Sequence, residues 1–183
     1  MALQDLRGGR RLDSAAGGQW SRAPRLKDLL SLCRALNEGG ARYVVVGGFA
    51  VILHGYARGT MDIDLLIDPS PDNVRKVKTA LAVLADNAAA EVADDDVERY
   101  TVVRVADEIV VDLMAKAGGV AFDEVFRDAE FRQIEGIRVP FADARALIRT
   151  KDTVRPKDRH DVLFLRRKLE NQSESGSSTT DEP

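Results

Sequence analysis

The stretch YVVVGGFAVILHGYARGTMDIDLLI, residues 43–67, decides the fold of this chain. It opens with Tyr43 and three valines, and such a run is typical of a short buried strand because β-branched residues pack well on a pleated surface. A glycine pair ends that strand, and residues 49–54 indicate a short helix that closes at Gly55. Strand character returns from Met61 to Ile67. The segment therefore predicts a strand, a glycine turn, a helix and a second strand.

Elements of both kinds flank this segment, because the spacing of apolar residues alternates between helical and strand periods. The predicted elements are helices at 26–36, 70–84, 142–149 and 156–170, a β-hairpin formed by 99–105 and 108–114, and one or two strands within 131–139. The turn of the hairpin is expected at Ala106 and Asp107. This alternation predicts an α/β (α+β) domain in which a mixed β-sheet is flanked by helices.

Composition indicates a soluble protein with one domain. The chain has 183 residues, 44% of them hydrophobic, and its formal net charge is -3, so no global field draws it to nucleic acid or to a membrane. Its single cysteine, Cys33, cannot form an internal disulfide, and no apolar run is long enough to span a bilayer, so we expect a cytoplasmic protein without membrane contact. We expect the domain at residues 25–170, between disordered segments at 1–24 and 171–183 that contain few large apolar residues.

The strand after the short helix carries two acids, Asp62 and Asp64, that alternate with apolar residues. Side chains two apart lie on one face of a strand, with Cα atoms roughly 6.5–7 Å apart, and two such carboxylates can bind Mg²⁺. Gly47 and Gly48 precede a helix, where backbone N–H groups can approach a phosphate. The alternative for the glycine pair is a plain turn, and the alternative for the two acids is a solvated strand face. The apolar neighbours favour a functional role, since two like charges in such a strand need a compensating cation or partner.

Asp112 is a third candidate ligand, because it stands alone among apolar residues in the segment 109–114. If its strand lies next to that of Asp62, its carboxylate completes a metal site or accepts the proton of an attacking hydroxyl. The alternative is a structural acid paired with an arginine.

The C-terminal region supplies positive charge. Residues 143–168 hold nine Lys or Arg against four Asp. Lys151, Arg155 and Lys157 cluster around Pro156, which suits the first turn of the last helix. Asp158 falls on the apolar side of that helix, so it needs a partner such as Lys151, Arg155 or Arg58. A solvated charged helix and a structural ion pair remain the alternatives to a nucleotide contact.

The string Val46-Gly47-Gly48-Phe49-Ala50, followed by His54-Gly55, by Arg58 and Thr60, and by Asp62-Ile63-Asp64-Leu65, resembles the nucleotidyltransferase superfamily related to DNA polymerase β. The resemblance implies a mixed-sheet core that transfers a nucleoside monophosphate from NTP to an acceptor hydroxyl with release of pyrophosphate. It also implies the functional residues. The acids Asp62, Asp64 and Asp112 would bind two Mg²⁺, or Mn²⁺, and the nucleotide would contact Gly47, Gly48, Arg58, Thr60, Lys151, Arg155, Lys157 and Asp158.

Within that superfamily, the chain is similar to the bacterial abortive-infection (AbiEii) type toxin nucleotidyltransferases. This implies an acceptor such as tRNA or another RNA, or a protein hydroxyl, and a cognate antitoxin as partner. The chain departs from many active members at Gly48, where they carry serine and so have one more hydroxyl for the phosphates. An inactive nucleotide-binding or partner-binding module of the same fold is the alternative. The NTP, the acceptor and the oligomeric state stay open at this point.

Overall fold

The computed structural model describes residues 3–4, 9–13, 21–151 and 156–177. Its strands are β1 (Leu3–Gln4), β2 (Arg10–Asp13), β3 (Tyr43–Val45), β4 (Asp62–Ile67), β5 (Val103–Ala106), β6 (Val110–Met114), β7 (Lys116–Ala117), β8 (Val120–Ala121), β9 (Glu130–Ile134) and β10 (Ile137–Phe141). Its α-helices are α1 (Leu26–Glu38), α2 (Gly47–Leu53), α3 (Pro71–Leu81), α4 (Asp96–Arg99), α5 (Phe122–Arg127), α6 (Ala144–Thr150) and α7 (Pro156–Ser177), and a 3₁₀ helix spans Ala88–Glu91.

Eight strands form one mixed sheet in the order β1-β2-β5-β6-β4-β3-β10-β9. Strand β4 lies near its middle, antiparallel to β3 and parallel to β6, and β6 is antiparallel to β5. The predicted mixed α/β architecture is therefore confirmed. Because β4 and β6 are parallel neighbours, residues at equal register on these two strands share a face of the sheet.

The helices bury the apolar residues that predicted them. Helix α1 buries five residues at helical spacing, among them the fully buried Cys33, and packs against α3 and β10. Four apolar residues of β4, Ile63, Leu65, Leu66 and Ile67, have no exposed surface. A strand held by neighbours on both sides and by this core gives its two acids fixed positions.

The hairpin is confirmed, but its turn is not where the sequence predicted it. The connection between β5 and β6 consists of residues 107–109 rather than Ala106 and Asp107. The buried carboxylate of Asp107 explains this loop, since it accepts backbone N–H bonds from Asp86, Ala88 and Glu108 at 3.0, 3.0 and 2.7 Å. The observed turn places Arg104 directly opposite Asp112.

The ends of the chain contain more structure than the composition predicted. Residues 10–13 of the segment expected to be disordered form β2, which pairs in parallel with β5, and the Arg10 guanidinium makes an ion pair with the buried Asp96. Helix α7 continues to Ser177, past the predicted end at residue 170. A count of large apolar residues missed β2 because a single one, Leu12, is fully buried in the core. It missed the end of α7 because helical hydrogen bonds do not require large apolar side chains. Among the described residues, no helix is both long enough and apolar enough to cross a membrane.

Candidate active site

Three carboxylates converge on one face of the sheet. Asp64 on β4 pairs in register with Asp112 on β6, and Asp62 lies two residues before Asp64 on the same face. One oxygen from each residue lies within 4.8 Å of the others. We call Asp62, Asp64 and Asp112 the acidic cluster. The structure thus brings the three predicted acids together, and three convergent carboxylates are a donor set that suits a hard divalent cation such as Mg²⁺ or Mn²⁺.

Burial and the neighbouring acids change the titration of Asp64. Burial raises the pKa of the Asp64 carboxyl to about 7, and the charges of Asp62 and Asp112 act in the same direction. A hydrogen bond from the backbone of Gly48 and the charge of Lys151 oppose this rise of the pKa. Without a metal, the Asp64 carboxyl is therefore about half protonated near neutral pH. A divalent cation would compensate the same repulsion, so the electrostatics fit a cation site.

The glycine pair at the start of α2 packs directly against Asp64. Gly47 has a φ of +60°, and a Cβ built on it would overlap the carboxylate of Asp64 and lie 2.8 Å from the Asp64 Cβ. A Cβ on Gly48 would overlap the Thr60 hydroxyl and lie 2.7 Å from the Thr60 Cβ. Both glycines are therefore required by close approach to the β4 region, in addition to any role with phosphate.

Thr60 and Arg58 lie beside the acidic cluster in the loop that leads into β4. The Thr60 hydroxyl is 3.3 Å from the Asp62 carboxylate and 3.2 Å from the Asp62 carbonyl, so it helps to orient this acid. The Arg58 Nε donates to the Gly59 carbonyl at 3.0 Å, and its guanidinium makes an ion pair with Asp161 of α7. Arg58 thus ties the loop to the last helix.

A buried group of charges connects α6 to α7. The Lys151 ammonium lies 3.3 Å from the Asp158 carboxylate and 2.8 Å from that of Asp161, and all three residues are at most 9% exposed. Together with Arg58 we call these residues the lysine–aspartate cluster. A Cβ built on Gly48 would lie 3.3 Å from the Arg58 Nη2, so the lysine–aspartate cluster borders the glycine pair that packs against Asp64.

The sequence predicts most of these charged residues as members of a site, but not Asp161. Asp158 has Lys151 as a partner, as expected, while Asp161, which the sequence analysis did not single out, is the more buried acid and binds both cations. Its position three residues after Asp158 on the same helix was the available signal. The predicted nucleotide ligand Arg155 lies outside the described residues, as does the side chain of Lys157.

Arg104 is a further member of the site that the sequence analysis missed. Its Nε and Nη2 donate to the two carboxylate oxygens of Asp112 at 2.8 and 2.6 Å, and its Nη2 lies 3.6 Å from the Asp62 carboxylate. The alternative considered for Asp112, an acid paired with an arginine, is therefore realised together with its convergence on Asp62 and Asp64. The misplaced hairpin turn hid this pairing.

The fold and the site define a class of nucleotidyltransferase-like proteins, and sequence comparison agrees. Residues 25–175 match the family of nucleotidyl transferases of unknown function (DUF2204), and the chain belongs to that family. The predicted superfamily is thus confirmed, whereas the similarity to the toxin group stays a prediction. No curated protein matches the chain. A provisionally assigned nucleotidyltransferase from Thermotoga maritima of known structure is 13% identical, with a TM-score of 0.45, over 82% of this chain and 90% of the other.

Proposed function

We propose that this protein is a metal-dependent nucleotidyltransferase that moves a nucleoside monophosphate from NTP to an acceptor hydroxyl and releases pyrophosphate. The observation that carries the proposal is the convergence of Asp62, Asp64 and Asp112 within 4.8 Å, beside the glycine turn of α2. Family membership supports the same class of reaction. Acids that are placed this close together repel one another, and a bound divalent cation would compensate that repulsion.

In this proposal the acidic cluster would hold one or two Mg²⁺ ions, with Mn²⁺ as a substitute. When bound, such ions neutralise the charge that develops on the transferred phosphoryl group and on the leaving pyrophosphate. The protein side chains position the reactants. Thr60 orients Asp62, the glycine turn fixes Asp64, and Asp112 lies where it could accept the proton of the attacking hydroxyl.

The nucleotide triphosphate would lie on the side of the acidic cluster formed by α2 and α7. We assign its contacts to the backbone at Gly47 and Gly48 and to the side chains of Thr60, Arg58 and Lys151. Asp158 holds Lys151 in place. Arg155 and Lys157 keep their predicted roles as further nucleotide contacts, because they follow Lys151 closely in the sequence.

The acceptor and the biological role rest on the resemblance to the toxin group. We propose an RNA acceptor such as tRNA, with a protein hydroxyl as the second choice, and a role as the toxin of a toxin–antitoxin pair whose antitoxin binds this chain. The cytoplasmic location expected from the sequence stays a prediction.

One observation favours a second function, that of a catalytically inactive module that binds nucleotide or a partner. The guanidinium of Arg104 already supplies a positive charge to two of the three acids. A fold that had lost its cation could be stabilised in this way. The two functions differ in what Asp64→Asn should do, because an inactive module keeps its ligand binding and an enzyme loses turnover.

The decisive experiment is transfer of label from each of the four α-labelled NTPs, with Mg²⁺, to cellular RNA and to cellular protein. For the enzyme we expect Asp64→Asn to lower transfer by roughly 100-fold or more, as loss of a transition-state charge partner does. The control is Asp72→Asn, an exposed acid in the first turn of α3, which should leave transfer unchanged. Absence of transfer from every NTP by the folded wild type would favour the inactive module. Full transfer by Asp64→Asn would contradict the assigned site.

A further inference from the structure

Arg104 makes the most specific charged contact in the acidic cluster. It projects from β5, in register with Asp112 on β6, and its planar guanidinium forms two parallel hydrogen bonds with that carboxylate. The same Nη2 is 3.6 Å from an oxygen of Asp62. One cation of the protein therefore contacts two of the three acids that would bind a metal.

This geometry leaves fewer lone-pair positions on the Asp112 carboxylate for a metal. An ionised carboxylate has about four lone-pair positions on two oxygens, and a bidentate guanidinium occupies one position on each oxygen. A divalent ion at the acidic cluster would also lie close to a permanent positive charge. Coulomb repulsion between a single and a double positive charge about 5 Å apart, even at the dielectric constant of water, would lower the affinity for the divalent ion roughly tenfold.

We propose that Arg104 is a resident counter-ion that competes with the divalent cation for Asp112, and so sets the cation concentration at which the site fills. This inference rests on the proposed function in that it takes the acidic cluster as the cation site. Without metal, the guanidinium screens the repulsion between Asp112 and Asp62. When metal binds, the contact with Asp112 is exchanged for the cation.

The surroundings of Arg104 permit this exchange. Its side chain is 41% exposed, so the guanidinium can turn toward water at small cost, whereas the Asp112 side chain is only 7% exposed and stays in place. The Arg104 guanidinium remains charged at any working pH, as arginine does in proteins. The acid is therefore the fixed partner and the arginine the replaceable one.

A purely supporting role for Arg104 predicts the opposite change in metal affinity when the arginine is removed. If the arginine served to hold Asp112 in the orientation that a metal needs, its removal would weaken metal binding, as loss of an outer hydrogen-bond partner usually does by 10–100-fold. Competition predicts that removal strengthens binding. The direction of one affinity change therefore separates the two roles.

The test measures Mn²⁺ affinity by electron paramagnetic resonance, without nucleotide and without a turnover assay. We expect Arg104→Met to bind Mn²⁺ about tenfold more tightly than the wild type, with Arg104→Lys between the two, because lysine keeps the charge but loses the bidentate geometry. The control Arg132→Met removes an exposed arginine from β9, which four strands separate from β5 in the sheet, and should leave the affinity unchanged. Equal or weaker binding by Arg104→Met overturns the inference.

A second measurement does not depend on the stability of the variant. In the wild type, the Arg104 Nε–H resonance should shift when Mg²⁺ saturates the site, because its bond to Asp112 is exchanged. An unchanged resonance at saturation overturns the inference even if Arg104→Met fails to fold. Failure of the inference and of the proposed function are distinguishable. Equal Mn²⁺ affinity of wild type and Arg104→Met removes only the former, whereas absence of Mn²⁺ binding from both removes both.

Discussion

Replacement of Gly47 by alanine should damage the fold and the site together, and the structure allows its cost to be worked out. The φ of +60° at this residue costs a non-glycine residue roughly 1–2 kcal/mol. The added Cβ would also overlap the carboxylate of Asp64 and lie 2.8 Å from its Cβ. Because β4 is held on both sides, relief of this overlap costs about 1–3 kcal/mol more. We therefore expect a loss of about 2–5 kcal/mol in the free energy of unfolding.

Gly40 is a matched control for the backbone part of this cost. Its φ is +62°, almost the same as at Gly47, but a Cβ there would meet no atom within 4 Å. Gly40→Ala and Gly47→Ala also change the entropy of the unfolded chain equally, so the difference between them isolates the contact with Asp64. Urea unfolding of both variants in EDTA measures that difference. A difference below about 0.5 kcal/mol, together with wild-type Mn²⁺ affinity in Gly47→Ala, would refute the reasoning.

Two further predictions concern the charges of the site. The folded pKa of Asp64, about 7, lies above the ordinary value of 3.8, so the folded state binds more protons than the unfolded state between these values. In EDTA this contribution to stability should be complete below about pH 4 and lost as the pH rises through about 7. Asp64→Asn should remove it, so parallel pH profiles of the unfolding free energy in variant and wild type would contradict this prediction. Lys151→Met leaves the buried carboxylates of Asp158 and Asp161 without their shared cation and should cost about 3–5 kcal/mol in urea unfolding. As a control, removal of the exposed Arg75, whose partners are also exposed, should cost less than about 1 kcal/mol. Equal losses of unfolding free energy for the Lys151 and Arg75 variants would show that burial does not matter here.

Local sequence patterns were sufficient for the elements that carry the site. The acid alternation at Asp62 and Asp64 predicts which face of β4 they share, because strand side chains alternate regardless of what surrounds them. The glycine pair predicts the turn, since a φ of +60° excludes most other residues at Gly47. These inferences depend on short stretches of backbone and need no knowledge of neighbouring elements.

The rest of the site depends on pairing that local patterns do not contain. The parallel pairing of β4 with β6, which unites Asp112 with the other acids, is decided by how the whole sheet packs. The pairing of Arg104 with Asp112 requires the exact hairpin turn, and an error in the turn changes every partner. Asp107 determines that turn through bonds to residues 86 and 88, some twenty positions earlier in the chain.

The parallel arrangement of β4 and β6 also links ligand binding to the completion of folding. These adjacent strands are separated along the chain by residues 68–109, which must cross over and pack before Asp112 reaches its two companions. A fragment that stops before Val110 retains only two of the three acids of the acidic cluster. If the acidic cluster binds a divalent ion as proposed, its occupancy would therefore report on the finished tertiary structure, and the ion would add its binding free energy to that structure alone.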